Sequence, residues 1–164
     1  MKHVTYSDEN QKRIEIFLLL VYTAYSFGIF SFAIRNQWGI LSDFVVLTGF
    51  MLAWVVYLTR TGSYTFRAVF SAVMMQISVI VYGMHVDDIL TVLPILYVFV
   101  VLFGSYGKPK ILYTTVFTTF FLFFWQGEIL KNIPCDDSAQ VLEYLSPFLT
   151  TLLLEYVVYI WTRQ

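Results

Sequence analysis

Six apolar stretches follow one another along this chain, each 17 to 21 residues long and joined by short polar connections. A helix needs roughly 20 apolar residues to cross the hydrocarbon core of a bilayer. A soluble bundle would lack polar surface, since 59% of the residues are hydrophobic and 13% are charged. The strands of a membrane barrel alternate in polarity, and these stretches do not. The sequence predicts an all-α, polytopic membrane protein, with one domain over residues 1–164 and six transmembrane helices at 14–34, 40–59, 64–84, 89–106, 111–127 and 141–161.

The basic residues indicate the orientation of these helices. With a cytoplasmic N-terminus, the outer side carries only Arg35 and Lys131. The inner side then carries the other eight, which are Lys2, Lys12, Arg13, Arg60, Arg67, Lys108, Lys110 and Arg163. Because cytoplasmic connections are enriched in Lys and Arg, we predict that both termini are cytoplasmic.

The sequence contains no pattern that indicates catalysis. Glycine-rich phosphate loops and CxxC pairs are absent, and His3 and His85 lie far apart. No nucleophile, base and orienting residue can be assembled on one side of the membrane. We therefore expect no enzyme activity in this segment, no cofactor, no metal site and no nucleic-acid partner.

Glu155 is the first candidate functional residue, because a carboxylate within an apolar span costs about 2.5–3.5 kcal/mol. It shares a helical face with Tyr144, Phe148, Thr151 and Tyr159, and this face is expected to point into the bundle. Arg67, at a comparable depth in the third span, is its predicted partner. Three roles stay open for Glu155: an ion pair that fixes helix order, gating or signal transfer, and proton coupling.

A polar group at the outer end of the third span is the second candidate. His85 stands close to Asp87 and Asp88 in Tyr82-Gly-Met-His-Val-Asp-Asp. An imidazole beside carboxylates can sense pH, bind a small ligand or bind a divalent cation. A short polar turn, with an aspartate capping the fourth span, explains the same residues.

Polar residues within the fifth and third spans form a third candidate. Thr115, Thr119 and Gln126 recur at helical spacing, and Gln76 lies midway along the third span. Such groups join helices through hydrogen bonds, or line a pocket for a small amphipathic ligand. The sequence leaves both roles open.

Prolines and small residues suggest how the helices pack. Pro94 and Pro147 are predicted to kink the fourth and sixth spans. Two pairs of small residues with a spacing of four allow close helix approach, and either pair suits a homodimer face. These are Ala24 with Gly28, and Ala68 with Ala72.

Three short segments carry a resemblance to a known family. They are Arg13-Ile-Glu-Ile-Phe-Leu-Leu-Leu-Val-Tyr, Tyr82-Gly-Met-His-Val-Asp-Asp-Ile-Leu and Leu154-Glu-Tyr-Val-Val-Tyr-Ile-Trp. With the helix number and orientation, they resemble the N-terminal membrane regions of Firmicute receptor histidine kinases, and similar regions precede diguanylate cyclase domains. The resemblance implies a sensory and anchoring module in the bacterial cytoplasmic membrane, homodimeric, with an unidentified small ligand. The final Tyr-Ile-Trp-Thr-Arg-Gln has no helix stop signal, and we expect the last helix to continue into a cytoplasmic output domain.

A transport function is the main alternative, and a plain membrane scaffold or assembly factor without a ligand is a third. Six spans in a chain of this length are similar to the substrate-binding membrane subunits of energy-coupling-factor vitamin transporters. The Ala24–Gly28 pair matches the small-residue face with which those subunits dock their partner. The two halves of the chain, however, do not look alike, since proline interrupts only the second half.

Overall fold

The computed structural model describes residues 6–86, 91–104, 109–129 and 138–163. Six helices lie within these ranges, which confirms the predicted all-α fold and the number of helices. They are α1 (Tyr6–Arg35), α2 (Ile40–Leu58), α3 (Tyr64–Gly83), α4 (Leu93–Gly104), α5 (Pro109–Ile129) and α6 (Ser138–Arg163).

Four of the described helices are long and apolar enough to cross a membrane. The apolar segments are Asn10–Arg35, Ile40–Leu58, Tyr64–Gly83 and Leu145–Thr162. α4 has 12 residues, so it is about 18 Å long at 1.5 Å per residue, against a hydrocarbon core of about 30 Å. Membrane insertion is thus supported by four helices, whereas six spans and cytoplasmic termini stay predictions.

The first two helices end in turns that reverse the chain sharply. The amide of Trp38 donates to the carbonyl of Ala33, and the amide of Thr61 donates to that of Val56. Each bond spans five residues and closes a Schellman turn, which requires a left-handed residue just before the donor. Gln37 and Arg60 occupy those positions, with φ of 55° and 51°. A side chain at positive φ is uncommon, so these turns form without the glycine that usually marks a helix end.

The two prolines lie in different parts of their helices. Pro147 is inside α6, and the kink expected there stays a prediction. The prediction that Pro94 interrupts the fourth helix is wrong, because α4 begins at Leu93 and Pro94 is its second residue. Proline suits the first turn of a helix, where its missing N–H would have no carbonyl to pair with.

The chain divides between Ser78 and Val79 into two compact units, a boundary that falls inside α3. In the first unit α1 packs on α2, and Tyr22 connects all three helices. Its hydroxyl donates to the Met74 carbonyl at 3.0 Å and lies 3.1 Å from the Ser78 hydroxyl. A Cβ on Gly49 would lie 2.9 Å from this hydroxyl, so α2 approaches Tyr22 only because residue 49 has no side chain.

The two predicted small-residue pairs differ in the first unit. Ala68 and Ala72 are each 1% exposed, which confirms that they form a packing face of α3. Ala24 and Gly28 are exposed, and a Cβ added at Gly28 would meet no atom within 4 Å. The first pair therefore contributes to packing within the chain, and the second leaves an open face on α1.

In the second unit α4, α5 and α6 all pack on one another. The rings of Phe123 and Phe148 stack at 4.2 Å between centroids, which joins α5 to α6. Gly104 lies at the contact of α4 with α6, where an added Cβ would be 2.4 Å from Cγ1 of Val158. This close approach places α4 beside the part of α6 that carries Glu155.

Candidate functional site

Glu155 is buried in the second unit, with 3% of its surface exposed. Its Oε1 accepts a hydrogen bond of 3.0 Å from the hydroxyl of Thr119 on α5. Its Oε2 is also buried and has no hydrogen-bond partner. Thr151, one turn earlier in α6, is fully buried, which confirms that this face of α6 points inward.

Two of the three residues of the polar stripe predicted on α5 are buried, and one of them, Thr119, contacts Glu155. Thr115 is fully buried and Thr119 is 3% exposed. Thr118 is also buried, but its hydroxyl donates to the Thr114 carbonyl within the helix, at 3.0 Å. Thr119 therefore reaches across to α6, while Thr118 satisfies its own helix. The side chain of Gln126 lies outside the described residues.

Arg67 pairs with Glu15, not with the predicted Glu155. Its Nε donates to Oε1 of Glu15 at 2.7 Å, and its second terminal nitrogen donates to Oε2 at 3.3 Å. The remaining nitrogen donates to the Gly62 carbonyl at 3.1 Å, just before α3 begins. The arginine thus joins α1, α3 and the α2–α3 connection within the first unit.

Glu15 was missed because it stands at the edge of the first apolar stretch, where a charge normally faces the water. Its burial, with 2% exposed, becomes understandable from the spacing on α1. Leu19, Tyr22 and Ser26 follow Glu15 at intervals of four, three and four residues, and all are buried. This spacing in the sequence was the signal that Glu15 lies on the buried face of α1.

Trp54 lies within the second apolar stretch, and nothing in the sequence marked it as a candidate. Its indole N–H donates to the Thr23 hydroxyl at 2.9 Å. This bond joins α2 to α1. Gln76, which was predicted as a polar residue within the third span, is buried in α3 with 3% exposed. The first unit thus has polar side chains that join α1 to α2, and a buried amide within α3.

The second predicted candidate falls mostly outside the described residues. His85 is exposed just after α3, and its Nδ1 lies 2.8 Å from the Val81 carbonyl. Asp87 and Asp88 lie outside the described ranges, so pH sensing, metal binding and helix capping there all stay predictions.

The chain matches no protein-family model, no curated protein and no solved structure. Within the described residues, the feature that most needs a chemical explanation is the Glu155 carboxyl. It lies in the middle of an apolar segment, Leu145–Thr162, with one oxygen held by a threonine and the other without a partner. Such an arrangement can hold a proton, a cation or a small polar group.

Proposed function

We propose that this chain is the membrane-embedded sensory and anchoring module of a bacterial signal-transduction receptor of the histidine kinase type. It acts as a homodimer in the cytoplasmic membrane, binds or senses an unidentified small stimulus, and passes the change through α6 to a cytoplasmic output domain. The chain itself contributes no catalysis.

The buried carboxyl on the last helix carries this proposal. Glu155 lies on the buried face of α6 and makes a single described hydrogen bond, to Thr119 on α5. Because its second oxygen has no partner, the free energy of this packing depends on what neutralises or contacts the carboxyl. A stimulus that changes this contact shifts or rotates α6 against α4 and α5. Since α6 leads toward the proposed output domain, that movement is the signal.

Glu155→Gln in the intact receptor tests this role. The amide keeps the shape of the side chain and removes its ability to become charged, so we expect the output activity to become insensitive to the stimulus. Tyr156→Phe is the matched control, because Tyr156 is the next residue and is 62% exposed. Normal signalling by the Glu155→Gln receptor, at normal membrane abundance, would contradict the proposal.

The native gene beyond codon 164 gives an independent test. An open frame into a phosphoacceptor helix or a cyclase domain supports a receptor, and a stop codon excludes the receptor hypothesis.

Orientation is tested by single cysteines at Gln37 and Thr61 in a Cys135→Ser background. An impermeant maleimide added outside the cell should label Gln37→Cys and leave Thr61→Cys unlabelled.

The open face of α1 favours a second function, that of a substrate-binding subunit of an energy-coupling-factor vitamin transporter. Such a subunit docks its partner through small residues, and Ala24 and Gly28 are both exposed. If this function is correct, Gly28→Leu should abolish co-purification with an ATPase pair, and the chain should bind a vitamin. A chain that neither binds vitamins nor retains such a partner would exclude it.

A further inference from the structure

Among the described side chains of the second unit, the second carboxyl oxygen of Glu155 is a buried polar atom that has no hydrogen-bond partner. Oε1 is held by Thr119, whereas Oε2 is buried and accepts no hydrogen bond. A buried carboxylate oxygen without a partner loses its hydration, and no hydrogen bond within the protein compensates for that loss. Buried groups of this kind are normally neutralised or bound to something.

Among the described side chains of α4, α5 and α6, none offers a counter-charge to Glu155, and the described His85 of the same unit is exposed just after α3 with its Nδ1 2.8 Å from the Val81 carbonyl. The buried residues of α4 are all apolar: Leu93, Leu96, Phe99, Val100, Phe103 and Gly104. From α5 the buried polar groups are the three threonines at 115, 118 and 119. Apart from Glu155, the titratable groups on α4, α5 and α6 whose side chains the structure describes are tyrosines. They are Tyr97 on α4, Tyr113 on α5, and Tyr156 and Tyr159 on α6. None of these groups supplies a positive charge.

We propose that Glu155 is a binding site for one exchangeable small cation, either a proton or a sodium ion. The cation is held on Oε2, and the Thr119 hydroxyl fixes the orientation of the carboxyl through Oε1. Either cation makes the buried group neutral, which is the condition that a charge without a partner must meet in an apolar interior. The existence of this cation site does not depend on a signalling role for the chain. That the cation is the stimulus of a receptor rests on the proposed function.

Glu15 supplies a control within the same chain. It is as buried as Glu155, with 2% exposed, but both of its oxygens accept hydrogen bonds from Arg67. An arginine is permanently charged and neutralises this carboxylate directly. The two glutamates thus differ in their partners rather than in their burial, and only Glu155 requires an external cation.

Labelling with dicyclohexylcarbodiimide separates the two glutamates. A protonated carboxyl transfers its proton to a carbodiimide nitrogen, and its oxygen then bonds to the central carbon. The resulting O-acylisourea rearranges to a stable N-acylurea that mass spectrometry detects. The full chain in lipid nanodiscs is labelled across the pH range in which it stays folded, with either sodium or choline chloride, and modification of Glu15 and Glu155 is quantified.

We expect modification of Glu155 and none of Glu15. For a proton site, labelling of Glu155 falls about tenfold per pH unit above its midpoint and is the same in sodium and choline. For a sodium site, sodium suppresses labelling at constant pH and choline does not. Glu155→Gln removes the label in either case and, for a proton site, also the infrared carbonyl band of the protonated carboxyl.

The inference is overturned if Glu15 and Glu155 are labelled equally. It is also overturned if Glu155 stays unlabelled while infrared spectra show an ionised carboxylate that does not respond to sodium. These outcomes are distinct from a failure of the sensory role. A receptor with Glu155→Gln that signals normally, combined with pH-dependent labelling of Glu155, leaves the cation site in place and removes its part in signalling.

Discussion

The two buried glutamates show how the two units of this protein handle charge in different ways. Glu15 and Glu155 are 2% and 3% exposed. In the first unit Arg67 meets both oxygens of Glu15 and also holds the Gly62 carbonyl. In the second unit a threonine meets one oxygen of Glu155, and the apolar face of α4 lies close by. A complete ion pair suits a fixed structural joint, whereas a half-satisfied carboxyl suits a group that can change its state.

The neighbourhoods of the two residues follow the same division. Around Glu15, side chains cross between helices through hydrogen bonds from Tyr22 to Met74 and from Trp54 to Thr23. Around Glu155, stacked aromatic rings and the close approach at Gly104 join the helices. Hydrogen bonds fix direction, while apolar contacts allow helices to slide. The second unit is thus the better candidate for movement, which agrees with placing the proposed signal in α6.

The largest expected effect is the loss of the arginine of the first unit. Arg67→Met leaves the Glu15 carboxylate buried without a partner, which should lower the free energy of unfolding by about 3 kcal/mol. Unfolding in mixed micelles, followed by tryptophan fluorescence, measures this change. Lys12→Met removes an exposed positive charge from α1 and serves as the control, with little change expected.

Adding Glu15→Gln to Arg67→Met should recover much of the lost stability, because the uncompensated charge is then gone. Equal stabilities of Arg67→Met and Lys12→Met would mean that Glu15 does not depend on its partner. The contrast between the two glutamates would then disappear.

The sequence predicted the helices better than the partners of their charged residues. Apolar length alone was sufficient to predict six helices, of which four are long and apolar enough to cross a membrane. The inward face of α6 followed from the spacing of Thr151 and Glu155. The partner of Arg67 did not follow, because two carboxylates at suitable depths, Glu15 and Glu155, compete for it. Which helix lies beside α3 is decided by tertiary packing, and helical spacing contains no information about it.

Local details at the helix ends were also hard to predict. Pro94 was expected to interrupt a helix, because the apolar stretch begins before it. The structure starts α4 at Leu93, where the proline is favourable. Similarly, Gln37 and Arg60 take the left-handed conformation that a sequence usually marks with glycine. A left-handed residue costs roughly 1–2 kcal/mol, which neighbouring contacts offset. Proline inside a helix costs about 3 kcal/mol, so starting the helix at Leu93 avoids that cost.

A medium effect is expected where α4 meets α6. Gly104→Ala places a Cβ 2.4 Å from Cγ1 of Val158, so the two helices must separate, at a cost of about 1–3 kcal/mol. Gly28→Ala is the control, since its Cβ meets no atom within 4 Å and α1 should keep or slightly gain stability. Unfolding in mixed micelles again provides the measurement.

This substitution also sharpens the comparison of the glutamates. Glu155 lies one turn before Val158, so separating α4 from α6 should admit water to the carboxyl and leave Glu15 unaffected. Val158→Ala combined with Gly104→Ala should restore the close packing. If Gly104→Ala were as stable as Gly28→Ala, the α4–α6 contact would be looser than the structure indicates, and the enclosure of Glu155 would be in doubt.

The smallest expected effect is the loss of the one hydroxyl that meets Glu155. Thr119→Val keeps the shape of the side chain and removes its hydrogen bond, and such bonds between membrane helices contribute about 0.6 kcal/mol on average. Thr118→Val is the matched control, because Thr118 is equally buried but donates within its own helix. We expect Thr119→Val to be the less stable of the two by a few tenths to about 1 kcal/mol. A loss as large as that of Arg67→Met would show that Glu155 is charged and depends on Thr119 as Glu15 depends on Arg67. A small loss agrees with a carboxyl that a bound cation has already neutralised. The difference in stability between Thr119→Val and Thr118→Val therefore measures how strongly Glu155 depends on its protein partner, compared with Glu15.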